Sequence, residues 1–153
     1  MKTIVISGAS GFIGKELSQF FSTCGFTVLE INRDDLEDTS KLQEKIDQAD
    51  IIFNLAGANI IKRWTESYKK EIYSSRIDTT KKIVKAINSS KKEIELLVSM
   101  SAVGIYDNKK SYNEENAVSD TVEEVNKVFK KFFFFKSEII SCSKSILIIF
   151  SSS

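Results

Sequence analysis

Three glycines spaced three residues apart interrupt the amino-terminal part of this chain, directly after a short apolar run. The apolar run is Thr3–Ser7, and the glycines are Gly8, Gly11 and Gly14. A β-branched run that stops at glycine and continues with apolar residues at helical spacing predicts a strand, a tight loop and a helix. Glycine suits such a loop because it adopts backbone angles closed to side chains and lets a phosphate group approach the main chain at a helix start. The pattern predicts a dinucleotide-binding loop, and an ordinary glycine-rich turn is the alternative.

Length and composition narrow the class of protein. A chain of 153 residues is expected to form one domain, and 22 Lys and Arg against 21 Asp and Glu create no broad field that would attract nucleic acid or a membrane surface. A small molecule is therefore the expected partner. Two cysteines and no histidine exclude a disulfide framework, a structural zinc site and a histidine-based triad. The first apolar run is too short for a signal peptide or a membrane span, so we expect a cytoplasmic protein.

Strands and helices are predicted to alternate along most of the chain. The predicted elements after the first strand are a helix over 12–23, a strand over 27–31, a helix from about 39, a strand over 50–57, one short and one longer helix between 64 and 88, a strand over 95–101 and a helix capped by Asp120. Gly25 is placed to end the first helix, and Thr39 or Ser40 to cap the second. A polar connection is expected over 32–38 and a loop over 104–117. This order predicts an α/β fold with a Rossmann-like, doubly wound parallel sheet.

In a doubly wound sheet the ligand lies at the carboxyl ends of the strands, so the strand ends are the candidate site. The second strand ends at Asn32 and Arg33, where enzymes that use NAD usually carry a carboxylate for the ribose 2′-hydroxyl. A guanidinium suits a 2′-phosphate instead, which favours NADP, whereas Asp34 and Asp35 leave NAD open. An ordinary solvated cation is the alternative interpretation of Arg33.

The third and fourth strands end in small or hydroxyl-bearing residues. Small residues at Asn54-Leu-Ala-Gly-Ala58 let a cofactor lie against the backbone, although close packing of a turn would need them too. The fourth strand ends at Ser99-Met-Ser101. The complete set of predicted cofactor-binding residues is Gly8, Ser10, Gly11, Phe12, Ile13, Gly14, Asn32, Arg33, Asn54, Leu55, Ala56, Gly57 and Ser99.

These motifs resemble a known family. The resemblance is carried by the glycine loop, by Asn54-Leu-Ala-Gly57 with Arg63-Trp-Thr65, by Ser75-Arg-Ile-Asp-Thr-Thr80, and by Ser99-Met-Ser-Ala-Val-Gly104 with Tyr106. Over residues 1 to about 129 the chain is similar to the extended short-chain dehydrogenase/reductases, and within them to the nucleoside-diphosphate-sugar epimerase-like group. The resemblance implies an NAD(P)-dependent epimerase or reductase that exchanges hydride with a hydroxyl-bearing substrate such as a nucleotide sugar. It also implies that Ser101 hydrogen-bonds the substrate oxygen.

The chain departs from this family at the catalytic tyrosine. Enzymes of the class carry a Tyr-x-x-x-Lys pair on the helix after the serine, because the lysine lowers the pKa of the phenol. No such pair follows Asp120, and Phe129-Lys130 stand where the epimerase-like group carries Trp-Glu. Tyr106 and Lys110 have the right spacing but lie on the predicted loop. Because of this spacing, Tyr106 is nevertheless taken as the candidate catalytic tyrosine beside Ser101.

Residues 132–153 lack the features of a domain end. Four phenylalanines at 132–135 precede a mixture of Ser, Ile and Lys without turn chemistry, whereas family members continue for roughly as long again. We expect residues 1–131 to form the NAD(P)-binding domain, and 132–153 to be an atypical tail left by truncation or a reading-frame slip, with the carboxy-terminal lobe missing. The alternative is a buried helix and a last strand over Ile146–Phe150. A non-catalytic dinucleotide-binding or interaction module is the second functional interpretation.

Overall fold

The computed structural model describes residues 1–59, 61–102 and 146–151 of the chain. In this part of the chain, five parallel strands form one sheet in the order β2-β1-β3-β4-β5. The strands are β1 (Thr3–Ser7), β2 (Thr27–Ile31), β3 (Ile51–Asn54), β4 (Leu96–Ala102) and β5 (Ile146–Ser151). The helices are α1 (Phe12–Thr23), α2 (Arg33–Glu37), α3 (Thr39–Gln48) and α4 (Glu66–Ser89). The chain runs from β1 to one edge and then returns to the other side of β1, so the predicted doubly wound α/β architecture is confirmed.

The two faces of the sheet bury different side chains, because successive residues of a strand point to opposite faces. Val5, Ile52 and Leu97 are neighbours in register and belong to a buried cluster with residues of α3 and α4. Ile6, Phe53 and Val98 are the next row, and they belong to a second cluster that includes Leu17 and Phe21 of α1. Apolar layers on both faces explain why the strands read as continuous apolar runs.

Gly25 ends α1, as the sequence predicts. Its φ of 83° is a conformation that side chains disfavour. The N–H of Gly25 donates to the carbonyl of Ser22 at 3.1 Å, and the N–H of Phe26 donates to the carbonyl of Phe21 at 3.0 Å. These two bonds form a Schellman motif, and the rings of Phe21 and Phe26 lie 5.7 Å apart across it. The helix end therefore leads directly into β2.

Two helix boundaries differ from the prediction. Asp38, and not Thr39 or Ser40, caps α3, because its carboxylate accepts hydrogen bonds from the N–H groups of Ser40 and Lys41. Residues 66–89 form the single helix α4 where two helices are predicted. Polar side chains in mid-helix do not break it, since the hydroxyls of several donate to carbonyls three or four residues earlier.

The polar connection predicted over 32–38 contains the short helix α2. The side chain of Asn32 accepts from the N–H of Asp35 at 2.9 Å, and the carboxylate of Asp35 accepts from the N–H of Asn32 at 2.7 Å. This capping box explains the helix, and a third bond anchors it, because Lys45 Nζ of α3 lies 2.6 Å from Asp35 Oδ2. Asp35 is buried, and its burial would by itself raise its pKa; the bonds from Lys45 and Asn32 outweigh this and leave the pKa below its usual value.

β5 pairs with β4 from Leu97 opposite Ile146 to Ala102 opposite Ser151. This strand is the one expected from the alternative interpretation of the tail. The predicted loop over 104–117, the helix after Asp120 and the phenylalanine run at 132–135 lie outside the described residues. Within the ranges that the structure describes, no helix is long and apolar enough to cross a membrane.

Asp35 should make the stability of the chain depend on pH. A carboxyl whose pKa is lower in the folded state contributes stability above its ordinary pKa of about 3.9, and this contribution is lost as the pH falls through the folded pKa. Asp35→Asn should therefore lower the free energy of unfolding at pH 7 by about 1.5–3 kcal/mol, the usual range for a hydrogen bond to a charged group. The difference between parent and variant should shrink below about pH 4.

Urea unfolding at a series of pH values measures this difference. Asp34→Asn, at the exposed neighbouring carboxylate, is the matched control and should leave the free energy of unfolding nearly unchanged at every pH. A gap between parent and Asp35→Asn that stays constant down to pH 2 would show that the Asp35 carboxylate does not carry the effect.

Candidate functional site

The loop between β1 and α1 packs two of its glycines against protein and leaves the middle one accessible. Gly8 has a φ of 78°, and a Cβ there would lie 2.8 Å from the backbone nitrogen of Ala56. A Cβ on Gly14 would lie 2.3 Å from the carbonyl oxygen of Gly8. Gly11 has an ordinary φ of −74°, and among the described residues its Cβ would approach only the carbonyl oxygen of Gly8, at 3.2 Å. The fold thus requires glycine at 8 and 14 and only weakly at 11.

The first turn of α1 offers hydrogen-bond donors. Within the described part of the chain, no side chain caps this helix, and its first turn contains no acidic residue. The N–H groups of a first turn have no partner inside the helix and carry partial positive charge. Ser10 is exposed, and Phe12 and Ile13 have exposed fractions of 88% and 43%. The free donors, the sign of the charge and the missing side chain at Gly11 fit a pyrophosphate group.

A buried row of polar side chains crosses the sheet one step inside this loop. Ser7 of β1, Asn54 of β3 and Ser99 of β4 lie side by side in register. Ser7 Oγ donates to Asn54 Oδ1 at 2.8 Å, and Asn54 Nδ2 donates to Thr80 Oγ1 of α4 at 2.8 Å and lies 3.5 Å from Ser99 Oγ. All four residues are buried. The polar atoms of Asn54 and Ser99 are therefore engaged inside the protein, and we expect these residues to hold the strand ends in place rather than to contact a cofactor directly.

The loop that follows β3 lies against the glycine loop. The N–H of Leu55 donates to the carbonyl of Ser7 at 3.0 Å, which continues the pairing of β3 with β1. Leu55 and Ala56 are half-buried, and the backbone of Ala56 is the wall against which Gly8 packs. Gly57 is exposed, and a Cβ there would lie 3.0 Å from the guanidinium carbon of Arg76. A side chain at position 57 would thus require the guanidinium of Arg76 to shift.

The end of β2 presents two exposed charges of opposite sign. Asn32 is committed to the cap of α2, and Asp35 is buried against Lys45. Arg33 and Asp34 are exposed. Of the residues named for ribose or phosphate recognition at this strand end, these two retain accessible charged groups.

The two predicted catalytic residues lie at the boundary of the described structure. Ser101 belongs to β4 and its backbone pairs with Phe150 of β5. Its position, two residues beyond Ser99, is at the carboxyl edge of the sheet, where ligands of such sheets bind. Tyr106 lies outside the described residues, so its assignment stays a prediction.

Four residues that shape the site are not predicted as site residues from the sequence: Ser7, Ser75, Arg76 and Thr80. The last three belong to a motif that carries the family resemblance. The signal for Ser7 is that β1, β3 and β4 each contain three apolar residues followed by Ser or Asn. Nothing in the spacing along α4 alone identifies the partners of Ser75, Arg76 and Thr80, because these partners lie on β3 and the loop after it.

The family model, a sequence relative and a solved structure all match this chain as epimerase family proteins. The family model of the NAD dependent epimerase/dehydratase family matches residues 4–128. Epimerase family protein YfhF of Bacillus subtilis is 32% identical over 132 residues, which cover 76% of this chain and 44% of YfhF. The crystal structure of human epimerase family protein SDR39U1 with NADPH superposes with a TM-score of 0.76 at 23% identity, over 97% of this chain and 52% of that one.

A structural neighbour with another cofactor has the same fold. UDP-glucuronic acid 4-epimerase of Bacillus cereus, in complex with NAD and a UDP-sugar analogue, superposes with a TM-score of 0.77 at 16% identity, over 97% of this chain and 55% of that one. The chain thus spans about half the length of the proteins it matches. The match of the family model over most of the sequence, together with YfhF, shows that the chain belongs to the NAD dependent epimerase/dehydratase family.

Proposed function

We propose that this chain binds a nicotinamide dinucleotide across the carboxyl ends of β1, β2 and β3, with the pyrophosphate at the first turn of α1. The observation that carries the proposal is the contrast among the three glycines of the loop. A Cβ at Gly8 or Gly14 would meet protein atoms at 2.8 Å or 2.3 Å, whereas among the described residues a Cβ at Gly11 would approach only the carbonyl oxygen of Gly8, at 3.2 Å. A ligand that lies against the backbone at Gly11 supplies the missing reason. Ser10, Phe12 and Ile13 are the exposed side chains beside it.

We propose NADPH as the preferred form. Asp35 is buried and its Oδ2 accepts from both Lys45 and Asn32, so the exposed Asp34 is the more accessible of the two carboxylates that favour NAD. Arg33 is an exposed cation at the end of β2, and a guanidinium can donate two parallel hydrogen bonds to a phosphate in a bidentate geometry. The human relative was crystallised with NADPH and the Bacillus cereus neighbour with NAD, so the family relationship alone does not decide between the two.

The proposed chemistry of the whole protein is hydride exchange with a hydroxyl or carbonyl carbon. The nicotinamide supplies this chemistry when bound. The residues of this chain bind and orient: the glycine loop and the loop after β3 hold the cofactor, and Ser101 hydrogen-bonds the substrate oxygen. A nucleotide sugar is the proposed substrate class, since the Bacillus cereus neighbour binds a UDP-sugar.

We further propose that the chain by itself does not turn over substrate. This chain spans only about half the length of its relatives, and the family resemblance implies that the remaining part supplies the substrate-binding lobe. The domain boundary at residue 131, the frame-slip origin of residues 132–153 and a cytoplasmic location stay predictions from the sequence. A non-catalytic dinucleotide-binding or interaction module remains the alternative function.

Gly11→Val is the direct test of dinucleotide binding. A branched side chain at this position would stand between the ligand and the backbone amides, and binding of NADPH should weaken at least tenfold, which is about 1.4 kcal/mol. Titration of NADPH fluorescence measures the affinity, and thermal unfolding shows that the variant is folded. Gln19→Ala, on the exposed side of α1, should bind as the parent does. Equal affinity of Gly11→Val and parent would remove the proposal.

Arg33→Ala tests the cofactor preference. Loss of a charge-assisted bond to the 2′-phosphate should weaken NADPH by about 1.5–3 kcal/mol and leave NADH unchanged. Calorimetric titration with both cofactors gives the two losses separately. Asp34→Asn is the counterpart, because it should weaken NADH if the carboxylate holds the ribose hydroxyl. If Arg33→Ala weakens both cofactors equally, Arg33 does not read the phosphate.

The absence of turnover is tested with the full chain and NADPH. We expect no oxidation of the reduced nicotinamide and no epimerised product with UDP-sugars or simple carbonyl compounds, while NADPH binds. Absorbance of the reduced nicotinamide and chromatography of the sugars measure the two outcomes, with an active nucleotide-sugar epimerase run alongside. Turnover by the purified chain would mean that its 153 residues already complete a catalytic site.

A further inference from the structure

Two neighbouring residues of α4 hold the backbone N–H and the backbone carbonyl of one residue, Ala58, in the loop after β3. We propose that Ser75 and Arg76 are positioning residues for the dinucleotide, because they fix Ala58 and with it the course of residues 55–58 beside the glycine loop. We call Ser75, Arg76 and Ala58 the loop clamp. The inference rests on the proposed function, since it concerns the wall of the same site, and it gives a role to a segment that dinucleotide chemistry alone leaves unexplained.

Ser75 holds the nitrogen side of the clamp. The N–H of Ala58 donates to Ser75 Oγ at 2.9 Å, and Ser75 Oγ in turn donates to the carbonyl of Ile72 at 3.0 Å. Because its proton is used on the helix, the hydroxyl presents a lone pair to the loop. The donor and acceptor roles are thus fixed by geometry, and a side chain without a hydroxyl would leave the half-buried N–H of Ala58 without this partner.

Arg76 holds the carbonyl side. Its Nη2 donates to the carbonyl of Ala58 at 3.2 Å, and its Nη1 donates to the carbonyl of Ile72 at 3.3 Å. The guanidinium therefore bridges the helix and the loop. Burial lowers the pKa of Arg76 from its usual value, and Tyr68 acts in the opposite sense. A flat, charged group that is partly buried between two carbonyls keeps its orientation better than a flexible ammonium would.

Gly57 connects the clamp to the surface of the site. A Cβ at Gly57 would lie 3.0 Å from Cζ and 3.1 Å from Nη2 of Arg76. Any larger residue would push the guanidinium away from the carbonyl of Ala58. Glycine at 57 is therefore matched to arginine at 76, and the two positions should be energetically coupled.

The other end of the same loop is tied to the same helix. Thr80 Oγ1 donates to the carbonyl of Arg76 at 2.6 Å and accepts from Asn54 Nδ2, the same double role that Ser75 has. The loop is thus held at Asn54 by Thr80 and at Ala58 by the clamp. Between these points the backbone of Ala56 forms the wall that a Cβ on Gly8 would meet at 2.8 Å. A shift of the loop would consequently change the shape of the glycine loop where the pyrophosphate is proposed to bind.

The variants are chosen to separate positioning from general helix packing. Ser75→Ala removes the hydroxyl and Ser75→Thr keeps it. Arg76→Lys keeps the positive charge but removes the planar guanidinium with its several N–H donors. Lys85→Ala is an exposed control on the same helix. Ile87→Val shortens a buried side chain of α4 outside the clamp, and it serves as a control that loses stability without touching the loop. Gly57→Ala is made in the parent and in Arg76→Ala to measure the coupling.

NADPH affinity, thermal unfolding and hydrogen exchange of the Ala58 amide are measured for every variant of the full chain. We expect Ser75→Ala and Arg76→Lys to weaken NADPH binding by about fivefold to tenfold, the effect of losing one hydrogen bond. The Ala58 amide should exchange faster in Ser75→Ala, and Ser75→Thr should restore both affinity and protection. Gly57→Ala should weaken binding in the parent and add nothing in Arg76→Ala. Lys85→Ala and Ile87→Val should bind as the parent does.

The outcomes separate this inference from the proposed function. If the parent binds NADPH and the clamp variants bind equally well, the positioning role is wrong and the proposed function stands. If Ile87→Val weakens binding as much as Ser75→Ala does, the effect belongs to helix packing and the inference is also overturned. If the parent binds no dinucleotide, the proposed function fails and takes the positioning role with it, whatever the exchange of Ala58 shows.

Discussion

The shape of the candidate site depends on one buried hydrogen-bonded row across three strands. Ser7, Asn54 and Ser99 are polar groups inside an otherwise apolar sheet, and polar groups at such depth are costly unless they are paired. Their bonds to one another and to Thr80 meet this need only when β1, β3 and β4 are in their observed register. A slip of one residue would turn each polar side chain toward the other face. The row therefore lies at the ends of β1 and β3, where two loops of the candidate site begin, and three residues before the end of β4.

The buried polar row also restrains the position of α4. Thr80 accepts from Asn54 while donating to its own helix, so the helix takes its position from the polar row as well as from apolar packing. Four residues earlier along the helix, Arg76 lies against Gly57, and this places the loop after β3 beside Gly8. Loops usually vary more than the elements that carry them. Here the first four residues of the loop after β3 are held by side chains of one helix, through Asn54 at one end and Ala58 at the other, which makes their backbone part of the scaffold.

The sequence predicts the fold well because strands buried on both faces leave a plain signal. Apolar runs predict β1 to β4, and the alternative interpretation of the tail predicts β5. Gly25 ends α1 where a residue of positive φ is needed. The differences between the predicted and the observed helices have local causes. The capping box of Asn32 and Asp35 turns a polar stretch into α2, because two reciprocal hydrogen bonds outweigh a composition that resembles a loop. The apolar spacing between 64 and 88 predicts two helices, whereas the structure has the single helix α4, in which Ser75 and Arg76 contact the loop after β3.

The same physics explains why the site was predicted only in outline. The glycine pattern predicts three positions that lack a side chain. Only the structure shows that a Cβ would come closer to protein atoms at Gly8 and Gly14 than at Gly11. Likewise, Asn54 lies at the end of β3 and Ser99 lies within β4, and their polar atoms are bonded inside the protein. At the end of β2, Asn32 and Asp35 are committed to the cap of α2, whereas Arg33 and Asp34 remain exposed. A site of this kind keeps its shape through inward-facing side chains, and its specificity can change at the exposed positions without disturbing the polar row.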